Sequence, residues 1–357
     1  MAWFVQVEIT VYENLETRPL LMKTSTTILG LALSVPLMLS LLPGAMAQSY
    51  NFTDFDASAA GLATTVNGIS NSGITVGFYT NADATFSNFS GTPGSIMALN
   101  LSGAAQANGI NTSGQVVGTD GNGGAFLLNS ASPTAKPLTL TKADPAEASQ
   151  AAFGINDSGI IAGQVTHSDG TTSGFVDTVG NFVMIDPTGA AVATSAQGIN
   201  NNGLVTGFYG DAVNSAMTHG FLFDTNTSAY TVLPDPAVAD LAFTQFLGIN
   251  DSGEAVGYYQ LLGAGVQHGF LFNTATSAYT FLDDPNVQPD GSLAMQITGI
   301  TNSGEIAGFY SDVNGNQLGF IAQPAAVPEA SSVVSLSLLL MLGIGGLLVA
   351  KRRKATA

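Results

Sequence analysis

Six segments of the chain share the pattern Gly-Ile-x-x-x-Gly-x-x-x-Gly, beginning at Gly68, Gly109, Gly154, Gly198, Gly248 and Gly299. The intervals between them are 41, 45, 44, 50 and 51 residues, a period that suits either a propeller blade or a helical repeat. Composition decides between the two. Each repeat is rich in β-branched and aromatic residues, alternates in short runs, and is broken every few residues by Asn, Asp, Ser or Gly, so no stretch is left for a helix.

The copy that begins at Gly248 predicts four strands: Thr244 to Asn250, Glu254 to Gln260, Gln267 to Asn273 and Ala278 to Leu282. Asp251-Ser252-Gly253 is the turn between the first two, with Gly at positive φ and the Asp side chain capping its own backbone. Asn201-Asn202-Gly203 and Asp157-Ser158-Gly159 match it. The third Gly of the motif, such as Gly207 or Gly257, falls inside a strand and is expected to let a neighbouring sheet pack closely. The last repeat has Gly319-Phe320-Ile321 with no fourth strand behind it, whereas Tyr50 to Asp56 has the fourth-strand pattern and precedes the first repeat. Six units plus one displaced strand describe a ring closed by its own N-terminal strand, which hides the sheet edges an open array would expose. The expected fold is all-β, a six-bladed β-propeller of four-stranded repeats over residues 48–325. A β-solenoid is the alternative, but its repeats are usually shorter and it gives no account of the displaced strand.

The segments on either side read as addresses. Met22-Lys23, an apolar run through Leu42, and the small-residue end Ala45-Met46-Ala47 form a secretory signal over 22–47, cleaved after Ala47. Residues 1–21 carry Glu8, Glu13 and Glu16, the wrong charge ahead of such a signal, so translation is expected to begin at Met22. At the other end, 333–350 is free of charge and long enough for a helix of about 27 Å, close to a bilayer core. A basic cluster from Lys351 to Lys354 follows it and favours the cytoplasmic side.

Val327-Pro328-Glu329, this hydrophobic helix and the basic cluster containing Arg352 and Arg353 together resemble the PEP-CTERM sorting signal, over residues 326–357. The resemblance implies an exosortase as processing partner, an inner-membrane intermediate, and delivery to the surface or surroundings of a Gram-negative, exopolysaccharide-making bacterium. His219-Gly220-Phe221 and His268-Gly269-Phe270 resemble the HAF family of extracellular repeats. That resemblance implies a fold and a location and no catalytic residues.

Between Gln48 and Val327 the chain carries 21 acidic residues against Lys136 and Lys142. A surface of that sign repels phosphate backbones, which excludes nucleic-acid binding through a basic patch and suits cations or neutral glycans. There is no cysteine, hence no disulfide framework, thiolate metal site or Cys nucleophile.

The most prominent repeated polar feature is Asp-Pro after the fourth strand: Asp144, Asp186, Asp235 and Asp284, with Asp56 in the matching place. Equivalent blade positions share a face, so these five carboxylates are a candidate cation ring for Ca²⁺ at the channel mouth. The plainer reading, Asp capping the turn that leaves the strand, is the stronger of the two. Asp312-Val313-Asn314-Gly315-Asn316 starts like a calcium loop, but its Gly is misplaced and Gln323 stands where Glu belongs, so it reads as an inter-strand loop. His219 and His268 repeat with the blade and so read as structural, and His167 as a loop residue. With three histidines and no Gly-x-Ser-x-Gly, no nucleophile and base can be assembled. Phe78-Tyr79, Phe208-Tyr209, Tyr258-Tyr259 and Phe309-Tyr310 recur in the second strand, where alternation sends one member of each pair to each face.

The functional expectation is an exported, non-enzymatic surface or matrix protein that binds exopolysaccharide or other envelope components, with a secreted carbohydrate-active hydrolase or lyase as the alternative. An active site must break the repeat. Of the irregular loops at 210–218 and 261–266, only the first contributes an ionisable group besides histidine, Asp211, which favours binding.

Overall fold

The computed structural model describes residues 49–325 except 58–62, 102–104, 131, 138–146, 179, 188–192, 212–213, 215, 264, 283–294 and 313. The leader with Ala45 and Ala47, the sorting signal with Val327, Pro328, Glu329, Arg352 and Arg353, the helix at 333–350, and the ring members Asp144 and Asp284 lie outside the described residues. No helix among the described residues is long and apolar enough to cross a membrane.

Six four-stranded antiparallel sheets make a six-bladed β-propeller. Blade 1 holds β1's successors β2 (Thr64–Ile69), β3 (Thr75–Thr80), β4 (Phe86–Thr92) and β5 (Ser95–Leu99). Blade 2 holds β6 (Gln106–Ile110), β7 (Gln115–Thr119), β8 (Ala125–Asn129) and β9 (Ser132–Pro137). Blade 3 holds β10 (Glu147–Ile155), β11 (Ile161–His167), β12 (Thr172–Asp177) and β13 (Phe182–Ile185). Blade 4 holds β14 (Thr194–Ile199), β15 (Leu204–Gly210), β16 (Thr218–Asp224) and β17 (Ala229–Val232). Blade 5 holds β18 (Leu241–Ile249), β19 (Glu254–Leu261), β20 (Gln267–Asn273) and β21 (Ala278–Leu282), matching the strands expected of the Gly248 repeat.

Blade 6 holds β22 (Met295–Ile300), β23 (Ile306–Ser311) and β24 (Gln317–Pro324), and its fourth strand is β1 (Tyr50–Phe55). β1 pairs antiparallel with β24 from Tyr50 opposite Pro324 to Phe55 opposite Gly319, which closes the ring as the displaced strand requires. The Tyr50 hydroxyl donates to Gly304 O at 3.2 Å, and burial pushes its pKa up to about 12.

The core lies between blades. Val76 and Leu99 of blade 1 pack with Ile110 and Phe126 of blade 2, and Phe55 of the closing strand packs with Val66 and Phe89 of blade 1. Each third strand buries a Phe at the equivalent position: Phe89, Phe175, Phe221, Phe270 and Phe320 are 0% exposed and Phe126 2%. Burying such a ring contributes roughly 1.5–3 kcal/mol, which explains why the Phe persists while its neighbours vary. In blades 3, 4, 5 and 6 the residue before it is Gly, because the next blade packs close there: a Cβ on Gly220 would lie 2.2 Å from the Phe246 ring. Blade 1 has Asn88 there instead. Its carboxamide accepts from Ala107 N at 2.7 Å and donates to Ala105 O at 2.8 Å, stapling blade 2.

Candidate functional site

The first strand of every blade faces the propeller axis, and together they enclose a channel of about 400 Å³. Each first strand carries a β-bulge just before the Gly-Ile pair. In blade 1, Val66 opposes Gly77 and Gly68 opposes Val76, leaving Asn67 as the extra residue. The same shift occurs in the other five blades. A bulge re-aims the extra side chain, so Asn67, Asn108, Phe153, Gln197, Leu247 and Thr298 all line the channel.

The bulge also accounts for the glycines. A Cβ on the motif's third Gly would sit 2.0 Å from Gln245 O at Gly257 and 2.1 Å from Ser195 O at Gly207. The third Gly therefore accommodates the bulged strand of its own sheet, a correction to the expectation of a neighbouring sheet. The first Gly lets inner strands of adjacent blades converge on the axis: a Cβ on Gly154 would lie 2.4 Å from Gln197 O. The second takes the left-handed turn, as at Gly253 with φ 78°. The whole motif is thus explained by backbone geometry, with no catalytic role left over.

The two ends of the channel differ. The end where the first strands begin presents the amides Gln106, Gln245 and Gln296, with Phe78, Phe208 and Tyr258 reaching in from second strands. The second members of those pairs, Tyr79, Tyr209 and Tyr259, pack into the inter-blade core, so the alternation read from the sequence holds. Tyr258 donates to Gln245 Oε1 at 2.5 Å, and burial pushes its pKa up to about 12. Gln296 donates to Gln267 Oε1 at 2.8 Å. Among the described residues the Gln106 carboxamide and the Gln245 amide nitrogen have no protein partner.

At the opposite end the turn residues Asn71, Thr112, Asp157, Asn201, Asp251 and Asn302 are bonded to one another around the axis. The amides of Thr112, Asp157, Asn201, Asp251 and Asn302 each donate to a side-chain oxygen of the next blade, at 2.7–2.9 Å. Asn201 Nδ2 bridges Asp157 Oδ2 at 3.0 Å and Asp251 Oδ2 at 3.1 Å, and Asn302 Nδ2 reaches Asp251 Oδ2 at 2.6 Å. Burial alone would raise the Asp157 carboxyl, but bonds from Thr112, Asn201 and Asn71 outweigh it and hold the group below its ordinary value. The capping of the turn, assigned in the sequence to Asp157, Asn201 and Asp251, belongs to the residue before each. Asn156, Asn200 and Asn250 accept from the turn amides and donate to the next blade, as Asn200 Nδ2 does to Asn250 O at 2.9 Å.

The three described Asp-Pro carboxylates share the face of the amide end but follow outermost strands, so they stand at the rim rather than at the channel mouth. Equivalent positions on fourth strands occupy the largest circumference, which spreads them apart. Two of the carboxylates are locally engaged, Asp56 Oδ1 accepting from Thr64 Oγ1 at 3.0 Å and Asp235 Oδ2 lying 2.8 Å from His219 Nδ1, while the backbone amide of Asp186 donates to the Tyr230 hydroxyl at 2.9 Å. Among the described residues no three His, Asp or Glu side chains group so as to hold a metal. The channel carboxylates are Asp157 and Asp251.

Asp312 accepts from the Asn314 and Asn316 amides, both at 2.8 Å, and forms the loop between β23 and β24. His268 stacks on Tyr259 with ring centroids 5.2 Å apart, and His167, which ends β11, pairs with Ser173 Oγ at 3.0 Å. His219 has a second neighbour: Asp211, from the irregular loop of blade 4, approaches Nε2 at 3.5 Å.

The family model described as Protein of unknown function (DUF3466) matches residues 126–330. No curated protein matches the sequence. Among solved structures, the chain is similar to TolB from Acinetobacter baumannii at 9% identity and TM-score 0.49, over 71% of this chain and 64% of that one, so it spans less than two thirds of TolB. It is also similar to oligogalacturonate lyase from Vibrio parahaemolyticus (10% identity, TM-score 0.46, 79% of this chain and 99% of that one). A third likeness is to the fucose-specific lectin from Aleuria aurantia (12% identity, TM-score 0.43, 80% and 98%).

Proposed function

The chain belongs to the DUF3466 family, whose description assigns no activity, and on that premise we propose that the amide end of its axial channel binds a neutral glycan. The carrying observation is the chemistry of that mouth: the Gln106 carboxamide and the Gln245 amide nitrogen, without a protein partner among the described residues, beside the rings of Phe78, Phe208 and Tyr258. Carboxamides both donate to and accept from hydroxyls, and flat apolar rings cover the C–H faces of sugars. The surrounding acidic surface repels anionic polymers and tolerates neutral ones.

The biological setting is an exported protein that leaves by the signal at 22–47 and is sorted through the PEP-CTERM-like tail by an exosortase, to work at the cell surface or in the matrix. Its binding is non-enzymatic and needs no Ca²⁺. The test is co-sedimentation with neutral exopolysaccharide of the producing strain, in Ca²⁺ and in chelator. The protein is expected in the pellet under both conditions, with the polymer length unchanged.

A second reading, a hydrolase or lyase, is favoured by one observation: Asp211, His219 and Asp235 meet where blade 4 departs from the repeat, on the face that bears the mouth. Shortening of the polymer, abolished by His219→Ala, would establish it in place of the first.

A further inference from the structure

We infer that the channel is a blind pocket entered from the amide end, and that it takes the terminus of a neutral glycan chain rather than a stretch of its middle. The inference rests on the glycan reading above and adds which part of the polymer is recognised.

The far end is laced by bonds that run around the axis from Thr112 of blade 2, through blades 3 to 6, to Asn71 of blade 1. Thr112 Oγ1 donates to Asp157 Oδ1 of blade 3 at 2.7 Å, and the Asn71 side chain of blade 1 helps to hold the same carboxyl below its ordinary value. Both oxygens of Asp157 and both of Asp251 accept from ring donors. These bonds tie the blades in series from blade 2 round to blade 1, so a chain threading through would meet a collar of side chains already bonded to one another.

The near end is built differently. Among the described residues its side-chain bonds are isolated rather than continuous around the axis, as Tyr258 to Gln245 within blade 5 and Gln296 to Gln267 of the adjacent blade. A polymer lying flat across that mouth meets the rim alone and leaves the interior unused. An end can descend, with its hydroxyls meeting Asn67, Asn108 and Gln197 and, at the floor, the acceptor oxygens of Asp157 and Asp251. The volume of about 400 Å³ falls in the range of small-molecule pockets, roughly 300–1,000 Å³, and suits a short terminal piece. The same floor disfavours a terminal uronate, since among the described residues no cation lines the channel to pair with its carboxylate.

The test uses neutral exopolysaccharide of the producing strain, intact and after mild acid cleavage, each titrated to saturation with the full chain while bound protein per unit mass of glycan is read. Recognition of chain ends makes capacity rise with the number of ends, so halving the mean length doubles it. Capacity that stays constant on cleavage would place the contact along the chain, overturning the end-on inference while the glycan reading stands. Absence of binding to both preparations would remove the glycan reading and this inference with it.

Discussion

Asn250 gives the sharpest test of how the repeat holds the blades together. The residue is 2% exposed. Its Oδ1 accepts from Ser252 N at 3.1 Å and Glu254 N at 2.9 Å, which fixes the turn, and its Nδ2 donates to Thr301 O of blade 6 at 3.1 Å. Asn250→Ala removes these three and the Nδ2 bond to Glu254 Oε2 at 2.9 Å. At a net contribution of about 1 kcal/mol per neutral hydrogen bond, loss of the three bonds to the backbone costs about 3 kcal/mol, and more with the Glu254 bond or if the Thr301 carbonyl stays dry. Blade 6 supplies the control, because Thr301 occupies the same motif position and its Oγ1 still accepts from Glu305 N at 3.1 Å. Asn250→Thr should therefore recover one turn bond and cost about 2 kcal/mol. The assay is equilibrium urea unfolding of the wild type and both variants. Refutation would be an Ala variant within about 0.5 kcal/mol of wild type, the range of ordinary surface substitutions, or a Thr variant no better than Ala.

Three further outcomes follow from the same geometry. Gly257→Ala places a Cβ 2.0 Å from Gln245 O, so the bulge must distort; urea unfolding should show a loss of about 2 kcal/mol or more. Asp157 is held below the ordinary carboxyl value of 3.8, so its contribution is fully present above that pH and fades as pH falls through the lower folded value; the unfolding midpoint should drop with acid, and Asp157→Asn should flatten that drop. Deleting residues 50–55 leaves the β24 edge unpaired, and size-exclusion chromatography should then show more self-association than the full chain does.

The blades were legible because their signals are local. Turn glycines and alternating runs place Gln267–Asn273 and Ala278–Leu282 directly, and the missing fourth strand after Phe320 points to Tyr50–Phe55. The channel was not legible, because which side chain meets the axis depends on a bulge that breaks the alternation on which the reading relied. Its trace was present: the buried positions Val66 and Ile69, or Phe246 and Ile249, are three residues apart where an unbroken strand would place them two apart.

The Asp-Pro series drew attention by repeating, yet repetition on a fourth strand spreads residues around the rim. The residue three after the first Gly varies as Asn71, Thr112, Asp157, Asn201, Asp251 and Asn302, and that variation hid a set of side chains which the small radius of the first strands brings together. His219 and Asp211 are distant in kind from the repeat but not in space, since the blade 4 loop folds back onto the start of β16.

The central claim is that the amide mouth of the channel is where the glycan binds. The most direct measurement is calorimetric titration of neutral exopolysaccharide fragments into the wild type and into a Gln106→Ala, Phe208→Ala double variant whose unfolding midpoint matches the wild type. Loss of one carboxamide and one ring should weaken binding about tenfold, or about 1.4 kcal/mol. Unchanged affinity in the double variant would contradict the account and move the site away from the axis.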